Sequence, residues 1–213
     1  MNNLLLIKRN ATLFFHDIRW RFGIIYLSML MLILLRKWQQ LSVINMLNGV
    51  VQIPGNFQFP LEWFFLVISS FLIIGGAPRR LFLKEYPMVH EVSLKLYISS
   101  IMLLAVIVDT VIVITWYLIS ENRDSLFFIT VWLVLGTLTT LFINIQFFIN
   151  PLFDLLFVIV LCILTISINS FPFISLLMYS RWHSNISWPL GLIVIVVVDV
   201  VLSICIKKID FVA

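Results

Sequence analysis

The sequence predicts an all-α integral membrane protein of six transmembrane helices, with both termini cytoplasmic and an amphipathic in-plane helix before the first span. Three observations predict it. Hydrophobic residues make up 62% of the 213-residue chain and charged residues 11%, where a soluble domain carries about 25% charge; mean hydropathy is +1.12. The apolar residues gather into runs near the ~20 residues that a helix needs to cross a bilayer. The basic residues are sorted along the chain: of 14 Lys and Arg, Lys8, Arg9, Arg19, Arg21, Arg79, Arg80, Lys84, Lys95, Lys207 and Lys208 fall on one side of the proposed topology. Only Arg36, Lys37, Arg123 and Arg181 fall on the other, and the basic side is the cytoplasmic one. Six spans with short loops use up the chain, so 1–213 reads as a single transmembrane domain.

The elements follow in order. Over residues 4–20, Leu4, Ile7, Ala11, Phe14, Phe15 and Ile18, continued by Phe22, fall on one helical face. Lys8, Arg9, His16, Asp17 and Arg19 fall on the other, the pattern of a helix lying in the interface plane; the alternative is an extension of the first span into solvent. The first span, 22–35, reaches only about 21 Å at about 1.5 Å per residue, so Arg36 and Lys37 must snorkel or the bilayer must thin. Trp38, Leu41, Ile44, Leu47 and Val51 recur at helical spacing and suggest a second interfacial helix, broken by Gly49, Pro54, Gly55 and Pro60. The second span is 61–77, followed by a charged cytoplasmic loop over 78–95. Spans three to six are 96–119, 126–149, 152–170 and 190–206. Segment 171–189 is too short for a span and too apolar for a free loop. It reads as an extracytoplasmic, re-entrant-like segment packed on the other spans, with a loop resting on headgroups as the alternative; Tyr179, Trp182 and Trp188 suit the interface.

Several chemistries find no residues to carry them. The seven glycines supply no G-x-x-x-x-G-K-[ST], so no phosphate cradle is expected. His16, His90 and His183 are scattered without H-E-x-x-H, and no serine occupies a G-x-S-x-G turn. No catalytic residue and no metal site is therefore expected. Cys162 and Cys205 lie in apolar runs and read as small hydrophobes. Met1–Asn10 lacks the order of charge and apolar run of a cleavable leader, and the final DFVA offers no prenylation cysteine. The net charge of +4 follows from cytoplasmic anchoring, not from a nucleic-acid surface.

Polar residues inside the spans are the candidates for function. Asp109 and Asp199 sit near the middle of their runs, where a carboxylate costs about 3 kcal/mol on insertion scales, and no Lys or Arg lies deep in a span to pair with them. At similar depth they could face one cavity. Gly136, Thr140 and Asn144 are spaced by four in span four, and Cys162, Thr165 and Asn169 share a face in span five. These stripes suit interhelical hydrogen bonding and close packing, or the wall of a cargo path.

The in-plane basic helix, the basic loop Pro78–Lys95, the aromatic segment FPFISLLMYSR before the last span and the short KKID tail together resemble the type-2 permease subunits of bacterial ABC exporters, of the small peptide- and bacteriocin-associated kind. The resemblance implies a half-transporter in the bacterial plasma membrane. It would pair with a second permease copy or paralogue and bind two ATPase subunits that carry the ATP and Mg. It further implies a coupling helix in the loop between spans two and three, here Arg79, Arg80, Lys84, Glu85 and Glu91. Cargo would be a hydrophobic or cationic amphipathic peptide, bacteriocin or drug, with Asp109, Asp199, Thr140, Asn144, Thr165 and Asn169 as path candidates. An ion-coupled secondary carrier using the two aspartates, or a non-transporting immunity or sensor protein, are the competing readings.

Overall fold

In the computed structural model, the described residues are 3–53, 57–85, 94–121, 124–169 and 174–182, with 193, 196–201 and 204 near the C-terminus. Their regular elements are all helices, with no strand element among them. Four helical segments, Leu5–Trp38, Leu61–Lys84, Leu96–Ile119 and Ser125–Gln146, are long and apolar enough to cross a membrane.

Helix α1 (Asn3–Trp38) is continuous over 36 residues, so the expected in-plane segment 4–20 and the short first span form a single element. Nothing in this stretch breaks a helix: it has no proline, and a Cβ at Gly23 would meet nothing within 4 Å. The stripe that faces protein is Leu6, Asn10, Phe14, Ile18, Met29 and Ile33, all buried. The first half of α1 therefore turns Phe14 and Ile18 inward, and its outward large apolar residues are Leu5, Phe15 and Trp20. Asn10 Nδ2 donates to Ser100 Oγ at 2.6 Å, and Tyr26 meets Thr115 at 2.7 Å, which sets the register of α1 on α5 (Leu94–Ile119).

Helix α2 (Val43–Leu47) is short, capped where Ser42 Oγ accepts from the Asn45 amide. Ile44 and Leu47 are buried in it, so this segment covers protein where the sequence suggested an interfacial helix. Helix α3 (Leu61–Ile74) ends at Gly75, whose φ of 46° and ψ of −140° suit a residue without a Cβ. The chain then re-enters helix as α4 (Ala77–Glu85). The span predicted over 61–77 is thus α3 closed by the Gly75-Gly76 turn, and the first half of the expected loop 78–95 is helical. Pro78, the first residue of the expected loop, lies in the first turn of α4, where proline sacrifices no intrahelical hydrogen bond. Glu91 lies outside the described residues.

Among the described residues, helices α5 and α6 (Ser125–Gln146) form the most extensive helix pair. Asp124 caps α6 by accepting from the Phe127 amide at 3.2 Å. Asn150 caps α7 (Pro151–Ser167) by accepting from the Leu152 amide at 3.2 Å, with Pro151 at the first helical position. Within segment 171–189 the described part is a 3-10 turn (Ile174–Leu177) and α8 (Tyr179–Trp182). Residues Ile174 to Met178 are buried, and Trp63 Nε1 donates to the Leu177 carbonyl at 2.9 Å, so this stretch packs into the bundle. Residues 193, 196–201 and 204 of the predicted last span are helical; Trp188 and the KKID tail lie outside the described residues.

Candidate functional site

The first half of α1, the α3–α4 junction, the end of α6 and the start of α7 meet at one end of the bundle, and charge concentrates there. Asp17 Oδ2 accepts from Arg21 at 3.1 Å, one turn away, and from Arg80 on α4 at 2.8 Å. Arg21 also donates to the Ile74 carbonyl at 3.1 Å, the last residue of α3. Gly75 lies so close that a Cβ there would overlap the Arg21 guanidinium. On the other flank Gln146 Nε2 donates to the Gly75 carbonyl at 2.8 Å, Arg79 donates to the Ile149 carbonyl, and a Cβ at Gly76 would touch Pro151. The glycine turn is thus clasped from one side by α1 and from the other by the α6–α7 connection. Each half-exposed ion pair here is worth only about 0–1 kcal/mol; what the cluster fixes is geometry, because α4 cannot tilt without pulling on α1.

Of the charged residues predicted for coupling, Arg79 and Arg80 are therefore engaged within the chain. Lys84 is exposed at the last turn of α4, and Glu85 is the final residue of that helix.

The polar residues of the spans fall into three separate settings. Asp109 is fully buried and accepts from Ser70 Oγ on α3, with Thr139 of α6 beside the carboxylate but outside hydrogen-bond geometry. Asp199 is partly exposed and accepts from Asn144 Nδ2 at 2.6 Å, with Thr140 next to it. The two aspartates are held by different partners, and neither lines the 330 Å³ cavity between α5 and α6 or the 490 Å³ cavity at the far end of α1. The third setting is that far end. Asn169 and Gln52 pair reciprocally through side chain and backbone at 2.9 and 2.8 Å, and the Thr165 carbonyl accepts from Arg181.

The hydroxyls of the stripes are satisfied within their own helices. Thr140 donates to the Thr137 carbonyl at 2.9 Å and Thr165 to the Leu161 carbonyl at 2.8 Å. A Cβ at Gly136 would meet nothing within 4 Å, so among the described residues no helix is packed closely against that glycine.

Arg181 is the strongest anchor at the far end. Buried to 2% exposure, its guanidinium donates to the carbonyls of Val50, Thr165, Ile166 and Ile168. These include the terminal acceptors of α7, where the helix dipole favours a cation. Burial pulls its pKa below the ordinary value. A single side chain thereby ties the 43–53 stretch and α8 to the end of α7. Ser180 donates to the Asn48 carbonyl at 2.6 Å, and a Cβ at Gly49 would collide with Met178.

Sequence reasoning missed Asp17, Arg21 and Gly75 as a unit, and missed Asp154 and Gln146, both buried. The 17/21 spacing of opposite charges was a local signal; the Arg80 partner, 63 residues on, left none. Among the described residues no group of three or more His, Cys, Asp or Glu side chains gathers. Comparison with known proteins finds no matching family model, no similar curated protein and no similar solved structure.

Proposed function

We propose that this chain is an integral membrane permease subunit of an ATP-driven exporter. In this reading it has six spans with cytoplasmic termini, works beside a second permease copy or paralogue, and draws on ATP and Mg held in two partner ATPase subunits. The observation that carries the reading is the clasped helix α4. A short charged helix follows the second span, tied to α1 through Asp17 and Arg80 and to the α6–α7 connection through Arg79. A push from a docked ATPase on the exposed Lys84 end would move α4 about the Gly75 turn and carry α1 with it. Coupling of this kind is mechanical and needs no covalent chemistry in this chain.

The same geometry ranks the path candidates. Asp109 is sealed among α3, α5 and α6, which supports a packing role. Asp199 is partly exposed and offers a carboxylate, held in place by the buried Asn144, to a hydrophobic or cationic amphipathic cargo. The test is uptake of a fluorescent cationic peptide into inside-out vesicles. Uptake is expected to need ATP and to survive dissipation of the proton and sodium gradients. Asp199→Asn should lower it several-fold, with Asp109→Asn near wild type. Uptake driven by an ion gradient without ATP would favour the secondary carrier.

A further inference from the structure

The end of α1 and the start of α3 enclose a cavity of about 490 Å³ that the transport reading does not use. Arg36 of α1 and Glu62 in the first turn of α3 form an ion pair, and both residues line the cavity. Arg36 also donates to Gln39 Oε1 at 2.7 Å. The rest of the lining is largely apolar, including Leu32, Phe59, Leu61 and Trp63. The Trp63 indole N–H is already committed to the Leu177 carbonyl, so Arg36 and Glu62 are the charged groups that the lining offers. Leu61 and Phe59 are 67% and 44% exposed, which makes the mouth apolar.

The geometry points to a binding site for a zwitterionic lipid headgroup with a primary ammonium, its phosphate on Arg36 and its ammonium on Glu62, with an acyl chain leaving across Leu61 and Phe59. Three features select this occupant. One cation and one anion in the same wall match a ligand that carries one of each; a cationic peptide would meet Arg36 as a like charge, and an apolar drug would bury the ion pair without replacing its solvation. The apolar mouth suits a molecule with a hydrocarbon tail and disfavours a soluble zwitterion. The site lies where α1 ends in Arg36, Lys37 and the 85% exposed Trp38, residue types that collect at headgroup level. Glu62 then supplies selectivity: an ammonium donates up to three hydrogen bonds to it, whereas a trimethylated choline nitrogen donates none. The inference needs only that the long apolar helices sit in a bilayer, so it stands or falls apart from the exporter reading.

The experiment is native mass spectrometry of the chain released from nanodiscs of equal phosphatidylethanolamine, phosphatidylcholine and phosphatidylglycerol, with matched circular dichroism for each variant. Wild type is expected to retain one phosphatidylethanolamine at least 5-fold over phosphatidylcholine. Glu62→Gln should erase that preference, Glu62→Asp should keep most of it, and Arg36→Gln should lower retention of both zwitterionic lipids. Equal retention of the two lipids by wild type, or a preference that survives Glu62→Gln in a folded protein, would overturn the proposal. Displacement of phosphatidylethanolamine by a cationic peptide in stoichiometric amount would also overturn it and reassign the cavity to cargo.

Discussion

Replacing Gly75 by alanine tests the clasp at the α3–α4 turn. At φ 46° and ψ −140° an L-residue is strained by about 1–3 kcal/mol. The new methyl would also fall on the Arg21 guanidinium, with Cζ 3.2 Å away. Arg21 must then leave the Ile74 carbonyl, forfeiting a charge-assisted hydrogen bond whose value, on a partly exposed group, is about 1 kcal/mol. The sum is a loss of about 2–4 kcal/mol. Gly136→Ala is the internal control: its Cβ meets nothing within 4 Å, and alanine in a helix gains up to about 1 kcal/mol over glycine. Thermal unfolding in one detergent, followed by the fluorescence of the seven tryptophans, should show Gly75→Ala clearly below wild type and Gly136→Ala equal or higher. In an Arg21→Ala background the Gly75→Ala cost should shrink, because the steric part has lost its partner. A Gly75→Ala protein as stable as wild type, or an unchanged cost without Arg21, would refute the clasp.

Other outcomes follow from the same contacts. Arg80→Asp should weaken the α1–α4 contact, seen as faster hydrogen exchange in α4, and the double swap Asp17→Arg with Arg80→Asp should recover part of it; no recovery would mean that the pair is incidental. Arg181→Lys should destabilise by at least about 2 kcal/mol, since one ammonium cannot serve the carbonyls that the guanidinium reaches and an unsatisfied buried group costs about 1–3 kcal/mol; protease cutting within 43–53 and 174–182 is the readout. A cysteine at Phe14 should resist thiol reagents that modify a cysteine at Phe15, and equal labelling would show that α1 does not turn Phe14 inward.

The long spans were legible because α5 and α6 are long, mainly apolar runs free of proline, with caps marking the later boundaries, Asp124 for α6 and Asn150 for the helix after it. The turn at the end of the second span and the helix beyond it were not, because Gly75-Gly76 inside an apolar run looks like span interior, and Pro78 marks a helix start as readily as a helix end. In α1 the amphipathic pattern was real, but periodicity does not say whether an apolar face meets lipid or protein; Asn10 and Ser100, 90 residues apart, decide that. The candidate site was legible as residue types and not as groupings. Thr140 and Thr165 are spent on their own helices, and Asp109 and Asp199 find separate neutral partners on α3 and α6, which no spacing rule connects. Asp17 looked like one more charge on a solvated face until Arg80 arrived from a distant helix.

The central claim is that α4 transmits ATP hydrolysis into this chain. It is tested most directly by purifying the chain from its native membrane and measuring ATP hydrolysis and cargo movement together, for wild type and Lys84→Glu. Lys84 is the choice because it is exposed, whereas Arg80 is bound to Asp17. The account expects wild type to bring with it a nucleotide-hydrolysing subunit whose turnover rises with cargo, and Lys84→Glu to keep its fold and lose that stimulation several-fold. A chain that purifies without ATP hydrolysis and moves its cargo unaffected by ATP would contradict it.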